Sequence, residues 1–176
     1  MTVAPDLFNG NPAPGDINVP GFNTTDFLAH HGPTATDPNI VTAIEYLRKH
    51  LGVSRIAAPG YCFGGRYAFR QVAYGGGVDV GFAAHPSLLE ASEIAAINGP
   101  VAVAAADVDE LFTAAARAEA EAVLAGVGQP YQVNLYSGTQ HGFGVRANMS
   151  DPQQKYAKEQ AFLQAVRWFD RLFVKE

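Results

Sequence analysis

Short apolar runs alternate with helical patterns along most of this chain, and that alternation limits the folds it can adopt. The segments "SRIAAPG", "VDVGFAAHP" and "GPVAVAAAD" are apolar, have strand length and lie beside turn residues, whereas "PYQVNLYSG" alternates apolar and polar residues. Strands that alternate with helices predict an α/β fold with a mainly parallel sheet flanked by helices. Ligands of such sheets bind at the carboxyl ends of the strands.

The helical segments have readable boundaries. Residues 7–37 are rich in Gly, Pro, Asn and Asp, so we expect mostly loop there, with a short helical turn near residues 25–29. Asp37-Pro38 is typical of a helix N-cap followed by the first helical residue. Further helices are predicted after "APGYC", over the alanine-rich residues 113–124 and over 152–173, the last with an apolar stripe formed by Phe162, Val166, Phe169 and Phe173.

Composition excludes several classes of function. The chain has 176 residues, 48% of them hydrophobic, and no repeat or linker, so we predict a single domain over 1–176. A net charge of -5 without a run of Lys and Arg argues against a nucleic-acid partner. The N-terminus does not resemble a secretory signal and no stretch is apolar enough to cross a membrane, which predicts a cytoplasmic protein without a membrane partner.

The sequence "GYCFGG" places the single cysteine, Cys62, between a strand and a helix. A nucleophile flanked by glycines at this junction is typical of a nucleophile elbow, in which Gly60 and Gly64 allow a tight turn. The helix N-terminus behind the turn favours the thiolate of Cys62, and the backbone N–H of Phe63 is placed to stabilise an oxyanion. The alternative is a buried cysteine that serves only as a small apolar side chain.

Partners for a cysteine nucleophile follow it in the chain. Elbow enzymes have the order nucleophile, acid, histidine, and His141 is the histidine that follows the acidic candidates, Asp107 and Asp109. His141 lies in a glycine-rich loop after a strand and suits a general base, and either carboxylate could orient its ring. His85 also follows a strand, but it precedes both acids, so we predict a structural role for it.

Metal and cofactor sites are not indicated. The histidine pair at 30–31 has no cysteine or carboxylate spacing that completes a metal site, and "GGG" lacks the spacing of a phosphate-binding loop. We therefore expect no metal and no cofactor.

Several motifs together resemble the dienelactone hydrolases, in particular their fungal branch: "PDLFNGNP", "LGVSRIAAPGYCFGGRY", "VGFAAHPS", "GQPYQVNLYSGTQHGFGVR" and "KEQAFLQAVRWFD". They occur in order over essentially the whole chain. The resemblance implies an α/β-hydrolase fold and a triad of Cys62, Asp109 and His141. It also implies that Arg146 binds a substrate carboxylate.

Relative to that family, the chain starts at the strand that carries "PDLF", so we expect a truncated α/β-hydrolase fold with a sheet of about five strands. The resemblance implies that the absent front supplies three strands and a second oxyanion N–H. Loss of one such donor costs on the order of 10²–10³ in rate. The "PDLF" strand is expected to pair with the "RIAAPG" strand, to pair with a second chain in a homodimer, or to remain unpaired.

Three functions are consistent with these residues. The first is a cofactor-independent hydrolase of esters or lactones that uses Cys62, His141 and Asp109. The second is an isomerase, dehydratase or cyclase of an aromatic substrate, in which His141 and Asp109 act as acid and base. The third is a non-catalytic binding protein whose dimer covers the site.

Overall fold

The computed structural model describes residues 1–15 and 19–173. The loop predicted over 7–37 therefore includes residues 16–18, which lie outside the described residues. Contacts divide the chain into two compact units, Met1–Ser54 and Arg55–Glu176. The single domain expected over 1–176 stays a prediction.

The first unit contains helix α1, Thr24–His30, and helix α2, Pro33–Glu45, which runs into a π-helical turn, Tyr46–His50. The short helix expected near residues 25–29 is confirmed. The predicted start of α2 at Asp37-Pro38 is wrong, because the helix begins at Pro33 and contains Pro38. The fixed φ and missing N–H of Pro33 suit the first helical position, so the chain enters the helix there.

The segment "PDLF" does not form a strand, which corrects the expectation of a fifth strand there. Residues 7–10 form a turn, and the Asp6 carboxylate accepts hydrogen bonds from the backbone N–H groups of Phe8 (2.9 Å) and Gly10 (2.6 Å). Asn9 and Gly10 both have positive φ, at 52° and 75°. Asp6 thus binds N–H groups that a strand would use for pairing, so the chain turns instead of extending.

The second unit contains a four-stranded parallel sheet in the order β1-β2-β3-β4. Its strands are β1 Ala57–Tyr61, β2 Val80–Ala84, β3 Val101–Val108 and β4 Tyr131–Gln140. The predicted α/β fold with a parallel sheet between helices is confirmed. Central strand β2 is buried throughout, as are the first six residues of β3, in accord with their continuous apolar sequences.

Five helices accompany the sheet in the described part of this unit: α3 Phe63–Val72, α4 Ala91–Ala95, α5 Ala114–Val127, α6 Phe143–Arg146 and α7 Pro152–Phe173. The predicted stripe of α7 is only partly correct. Phe169 and Phe173 pack against the core, but Phe162 is 61% exposed and Val166 is also exposed. The face of α7 that packs on the sheet contains Ala157, Ala161, Ala165 and Trp168.

Small alanines explain this choice of face. They let the α7 backbone lie close to a sheet whose own inner residues include Ala84, Ala102, Ala104 and Ala106.

No helix in the described ranges is long and apolar enough to cross a membrane.

Candidate active site

Cys62 lies at the sharp turn between β1 and α3, where it is the N-cap residue of the helix. Its backbone has φ 51° and ψ -118°, a conformation that non-glycine residues rarely adopt. Backbone hydrogen bonds hold the turn on both sides: the Cys62 N–H donates to Ala84 (3.1 Å), and the Cys62 carbonyl accepts from Gly65 (3.0 Å) and Ser87 (3.1 Å). The predicted elbow is therefore present, and strain at such a turn is typical of a functional site.

The glycines of "GYCFGG" have different roles. A Cβ atom at Gly60 would overlap the carbonyl group of Gly64 and lie 2.7 Å from the Gly65 backbone nitrogen. A Cβ atom at Gly64 would meet nothing within 4 Å among the described residues, whereas one at Gly65 would lie 3.0 Å from the Cβ atom of Pro86. Gly60 is thus required as predicted, but the second tight position is Gly65 and not Gly64.

The side chains of Cys62, His141 and Asp109 form a continuous chain of polar contacts. His141 Nε2 lies 3.0 Å from Cys62 Sγ, and His141 Nδ1 lies 2.9 Å and 3.0 Å from the two carboxylate oxygens of Asp109. The Asp109 side chain is 1% exposed and that of His141 is 16% exposed, while Cys62 is partly buried. The three residues follow β3, β4 and β1, so the sheet brings together groups up to 79 residues apart in the chain.

The two candidate carboxylates, Asp107 and Asp109, differ in their hydrogen-bond partners. Asp109 Oδ1 accepts hydrogen bonds from the backbone N–H groups of Leu111 (2.8 Å) and Phe112 (2.9 Å), which fix the carboxylate beside His141. Asp107 Oδ2 instead accepts from the Gly138 N–H at 3.1 Å and so ties β3 to β4. The resemblance to the family indicated Asp109, and the contacts of both residues agree with it.

Electrostatics at the site favour a charged pair. Burial alone would raise the pKa of Cys62, but the hydrogen bond and charge of His141, with hydrogen bonds from Ser87 and the Phe63 backbone, hold it below its usual value. Burial would likewise lower the pKa of His141, but its hydrogen bonds to Asp109 and Cys62 raise it to about 9. A thiolate beside an imidazolium is the form that attacks a carbonyl.

Burial opposes ionisation of Asp109 as well. The hydrogen bonds from His141 and from the two backbone N–H groups overcome it and hold the pKa of Asp109 below its usual range. Asp109 is therefore a carboxylate at neutral pH and holds His141 with its Nδ1–H directed away from the sulfur.

Two further side chains contact Cys62 and His141: Ser87, which the sequence did not indicate, and His85, for which the sequence predicted a structural role. Ser87 is buried, and its Oγ lies 3.7 Å from Cys62 Sγ. The His85 ring is fully buried and packs against the His141 ring, with centroids 5.2 Å apart. The position of "HPS" after β2 signals proximity to Cys62, because β1 and β2 are adjacent, but it does not reveal these contacts.

The remaining predicted site residues lie close by. The Phe63 backbone N–H donates to the Cys62 sulfur. The Arg146 guanidinium lies over Gly142, so close that a Cβ atom on Gly142 would be 2.6 Å from a guanidinium nitrogen. Arg146 forms no side-chain hydrogen bond or ion pair with the described residues. Arg146 is exposed, so its charge is available to an anion at the carboxyl ends of the strands.

The described residues contain no group of three or more His, Cys, Asp and Glu side chains placed to hold a metal ion.

The two glycines next to the elbow provide a matched test of its geometry. We expect Gly60→Ala to lower the free energy of unfolding by several kcal/mol or to prevent folding, because a methyl group there overlaps backbone that cannot move independently. Gly64→Ala should leave the free energy of unfolding unchanged or raise it slightly, since its methyl group meets open space in a helix. Chemical denaturation measures both values, and equal effects of the two variants would contradict the geometry.

Cys62 alkylation tests the electrostatics of the site. Iodoacetamide reacts with the thiolate, and the mass of the intact chain reports Cys62 alone, because it is the single cysteine. We expect the midpoint of the alkylation–pH profile to lie below the usual thiol pKa and to rise in His141→Ala, which removes a hydrogen bond and a positive charge. His50→Ala, at an exposed histidine of the Met1–Ser54 unit, is the control. A midpoint that His141→Ala leaves unchanged would refute this account.

Comparisons with known proteins agree with the fold and the motifs. The family model described as "Dienelactone hydrolase family" matches residues 1–173. The chain is 42% identical to hydrolase pyvD of Aspergillus violaceofuscus over 175 residues, which cover 99% of this chain and 71% of that protein. It is also 42% identical to hydrolase tropI of Talaromyces stipitatus, with 100% of this chain and 71% of that protein covered.

A solved structure is similar as well. The crystal structure of a putative dienelactone hydrolase from Klebsiella pneumoniae matches with a TM-score of 0.71 at 12% identity, over 84% of this chain and 67% of that one. At that identity the likeness shows the fold alone. The match of the family model over residues 1–173 and the identity to the fungal relatives establish that the chain belongs to the dienelactone hydrolase family.

Proposed function

We propose that this protein hydrolyses ester or lactone bonds by nucleophilic catalysis, with Cys62 as nucleophile, His141 as general acid and base, and Asp109 as the residue that orients His141. The observation that carries the proposal is the contact chain from Asp109 through His141 to the Cys62 sulfur, with distances of 2.9 Å and 3.0 Å. The names of the two relatives at 42% identity, both called hydrolases, also support it.

The proposed reaction has two steps, formation of a thioester on Cys62 and its hydrolysis. The Cys62 thiolate attacks the ester carbonyl carbon while the thiol proton resides on His141 Nε2, and collapse of the tetrahedral intermediate breaks the ester C–O bond. The leaving alkoxide takes the proton from His141, which yields the alcohol and a thioester on Cys62. Water then attacks the thioester while His141 takes its proton, and the C–S bond breaks to release the carboxylic acid and to restore the Cys62 thiolate beside the His141 imidazolium.

Stabilisation of the oxyanion is supported by the placement of the elbow. The Phe63 N–H is at the N-terminus of α3, where backbone N–H groups and the helix dipole favour negative charge. Its hydrogen bond to the Cys62 sulfur places this donor beside the atom that attacks. As the sulfur bonds to carbon, the Phe63 N–H becomes available to the neighbouring oxyanion.

Arg146 supports the proposal that the substrate carries a carboxylate. Its guanidinium lies over Gly142, the residue that follows His141, and it is exposed. A guanidinium binds a carboxylate through paired hydrogen bonds, which would orient the ester group toward Cys62. The reaction needs no redox or phosphoryl chemistry, and none of its steps calls for a cofactor.

The nucleophile is tested by turnover of an activated ester, such as a nitrophenyl ester. We expect Cys62→Ala to lower kcat by about 10³-fold or more, because no other group of the triad can form the thioester. His141→Ala should have a comparable effect, while His50→Ala should retain the activity of the unmodified protein. Turnover that persists in Cys62→Ala but is lost in His141→Ala would contradict thioester formation and favour acid–base catalysis by His141 and Asp109.

The role of Arg146 in binding a carboxylate is tested by comparing esters that carry a carboxylate with esters that do not. We expect Arg146→Gln to raise KM for esters that carry a carboxylate by about 10- to 100-fold, the effect of losing a charge-assisted hydrogen bond. Esters without a carboxylate should keep their kcat/KM, and Arg146→Lys should recover part of the loss, because it keeps the charge. Equal losses for charged and neutral esters would show that Arg146 does not bind the carboxylate.

A further inference from the structure

His85 is a fully buried polar side chain that the proposed reaction does not use. Its exposed fraction is 0%, and neither ring nitrogen has a hydrogen-bond partner among the described residues. Buried polar atoms without partners are rare, because they lose their hydrogen bonds to water and gain none. A histidine buried here lowers stability relative to an apolar side chain, which indicates a role other than filling space.

Two hydrogen bonds hold the His141 ring, one at each nitrogen: Asp109 contacts Nδ1 and Cys62 contacts Nε2. The ring is joined to the backbone through its Cβ–Cγ single bond, and this bond allows broad rotation of a planar ring. Such a rotation tilts the plane of the ring and moves Nε2 out of line with the sulfur. The His85 ring lies against His141 at 5.2 Å between centroids and 74° between planes, and so opposes that rotation.

His85 is itself fixed from several sides. Its backbone N–H donates to the Ala104 carbonyl at 2.8 Å, and its ring packs against Phe143 at 5.6 Å and Tyr61 at 6.0 Å between centroids. The Gly144 backbone lies so close that a Cβ atom there would be 2.9 Å from His85 Nε2. A six-membered ring would reach further toward Gly144, so the five-membered imidazole fits a space that a larger aromatic ring would not.

The charges around His85 keep it neutral. The groups near its ring are Tyr61 from β1, Asp109 after β3, and His141 and Arg146 at the end of β4 and in α6. Burial and the charge of His141 lower the pKa of His85 to about 4. His85 therefore packs against the His141 imidazolium without adding a second positive charge.

His85 also has φ 37°, which is unusual for a residue other than glycine. That conformation sets the direction of the ring at the end of β2, and strain of this kind persists where the surrounding structure requires it. We propose that His85 is a positioning residue that holds the plane of the His141 ring so that its Nε2 stays directed at Cys62. The inference rests on the role of His141 in the function proposed above.

The test uses His85→Asn, because asparagine tolerates positive φ but removes the ring. The readout is the pH profile of thiolate formation at Cys62, followed by ultraviolet absorbance and by iodoacetamide alkylation. We expect the midpoint to rise by about one unit, which is a tenfold loss of thiolate below the midpoint. The control is Phe82→Leu, which alters a fully buried ring in β2, three residues before His85, that has no ring contact with His141 among the described residues.

The outcomes separate positioning from general destabilisation. A raised midpoint in His85→Asn with an unchanged midpoint in Phe82→Leu supports the proposal. A His85→Asn profile that coincides with that of the unmodified protein, or an equal shift in Phe82→Leu, overturns it.

A second variant decides the question if His85→Asn does not fold. Gly144→Ala changes neither His85 nor any of Cys62, His141 and Asp109, but it directs a methyl group at His85 Nε2. It should therefore displace the His85 ring and raise the same midpoint. Its control is Gly126→Ala in α5, where a methyl group meets no described atom within 4 Å. An unchanged midpoint in Gly144→Ala overturns the proposal.

Failure of this inference can be told from failure of the proposed function. Thiolate formation is measured without any ester substrate. If Cys62→Ala abolishes ester turnover while His85→Asn leaves the midpoint unchanged, the hydrolase function stands and the positioning role falls.

Discussion

The turn at Cys62 closes because the residue at position 60 has no side chain. Any Cβ atom there would overlap the Gly64 carbonyl, so the strand could not pass directly into α3 with the cysteine at its N-cap. The turn places a sulfur atom where the backbone N–H groups of a helix N-terminus are directed and where the carboxyl ends of the other strands meet. The positions of His141, Asp109 and Ser87 matter chemically only because this turn directs the sulfur toward them.

Burial and mutual contacts organise the polar groups around that sulfur. The Asp109 side chain is almost fully buried, the His141 ring is mostly buried, and Cys62 is partly buried. Each buried charge has partners: Asp109 accepts from two backbone N–H groups as well as from His141. Burial that would neutralise each group separately is thus overcome by their mutual contacts.

Much of this site could be predicted from residues close together in sequence. The glycines around Cys62 indicated the elbow, and chain order selected His141, because these features depend on local geometry and on the strand order of the fold. Asp107 and Asp109 could not be separated in that way, since both follow β3. Their roles are decided by which partner each carboxylate meets, Gly138 for one and His141 for the other.

The sequence by itself determined the four strands, helices α3, α5 and α7 and the end of the sheet where the site forms, because apolar periodicity and glycine positions act over a few residues. Only the tertiary structure decided the rest. The alanines of α7 and not Phe162 face the sheet, since close packing against small strand residues excludes a large side chain. His85 contacts His141 because the ends of two strands bring both rings into the same space. Residues 7–10 form a turn because the carboxylate of Asp6 accepts hydrogen bonds from the N–H groups of Phe8 and Gly10. No periodic pattern in the sequence predicts such contacts.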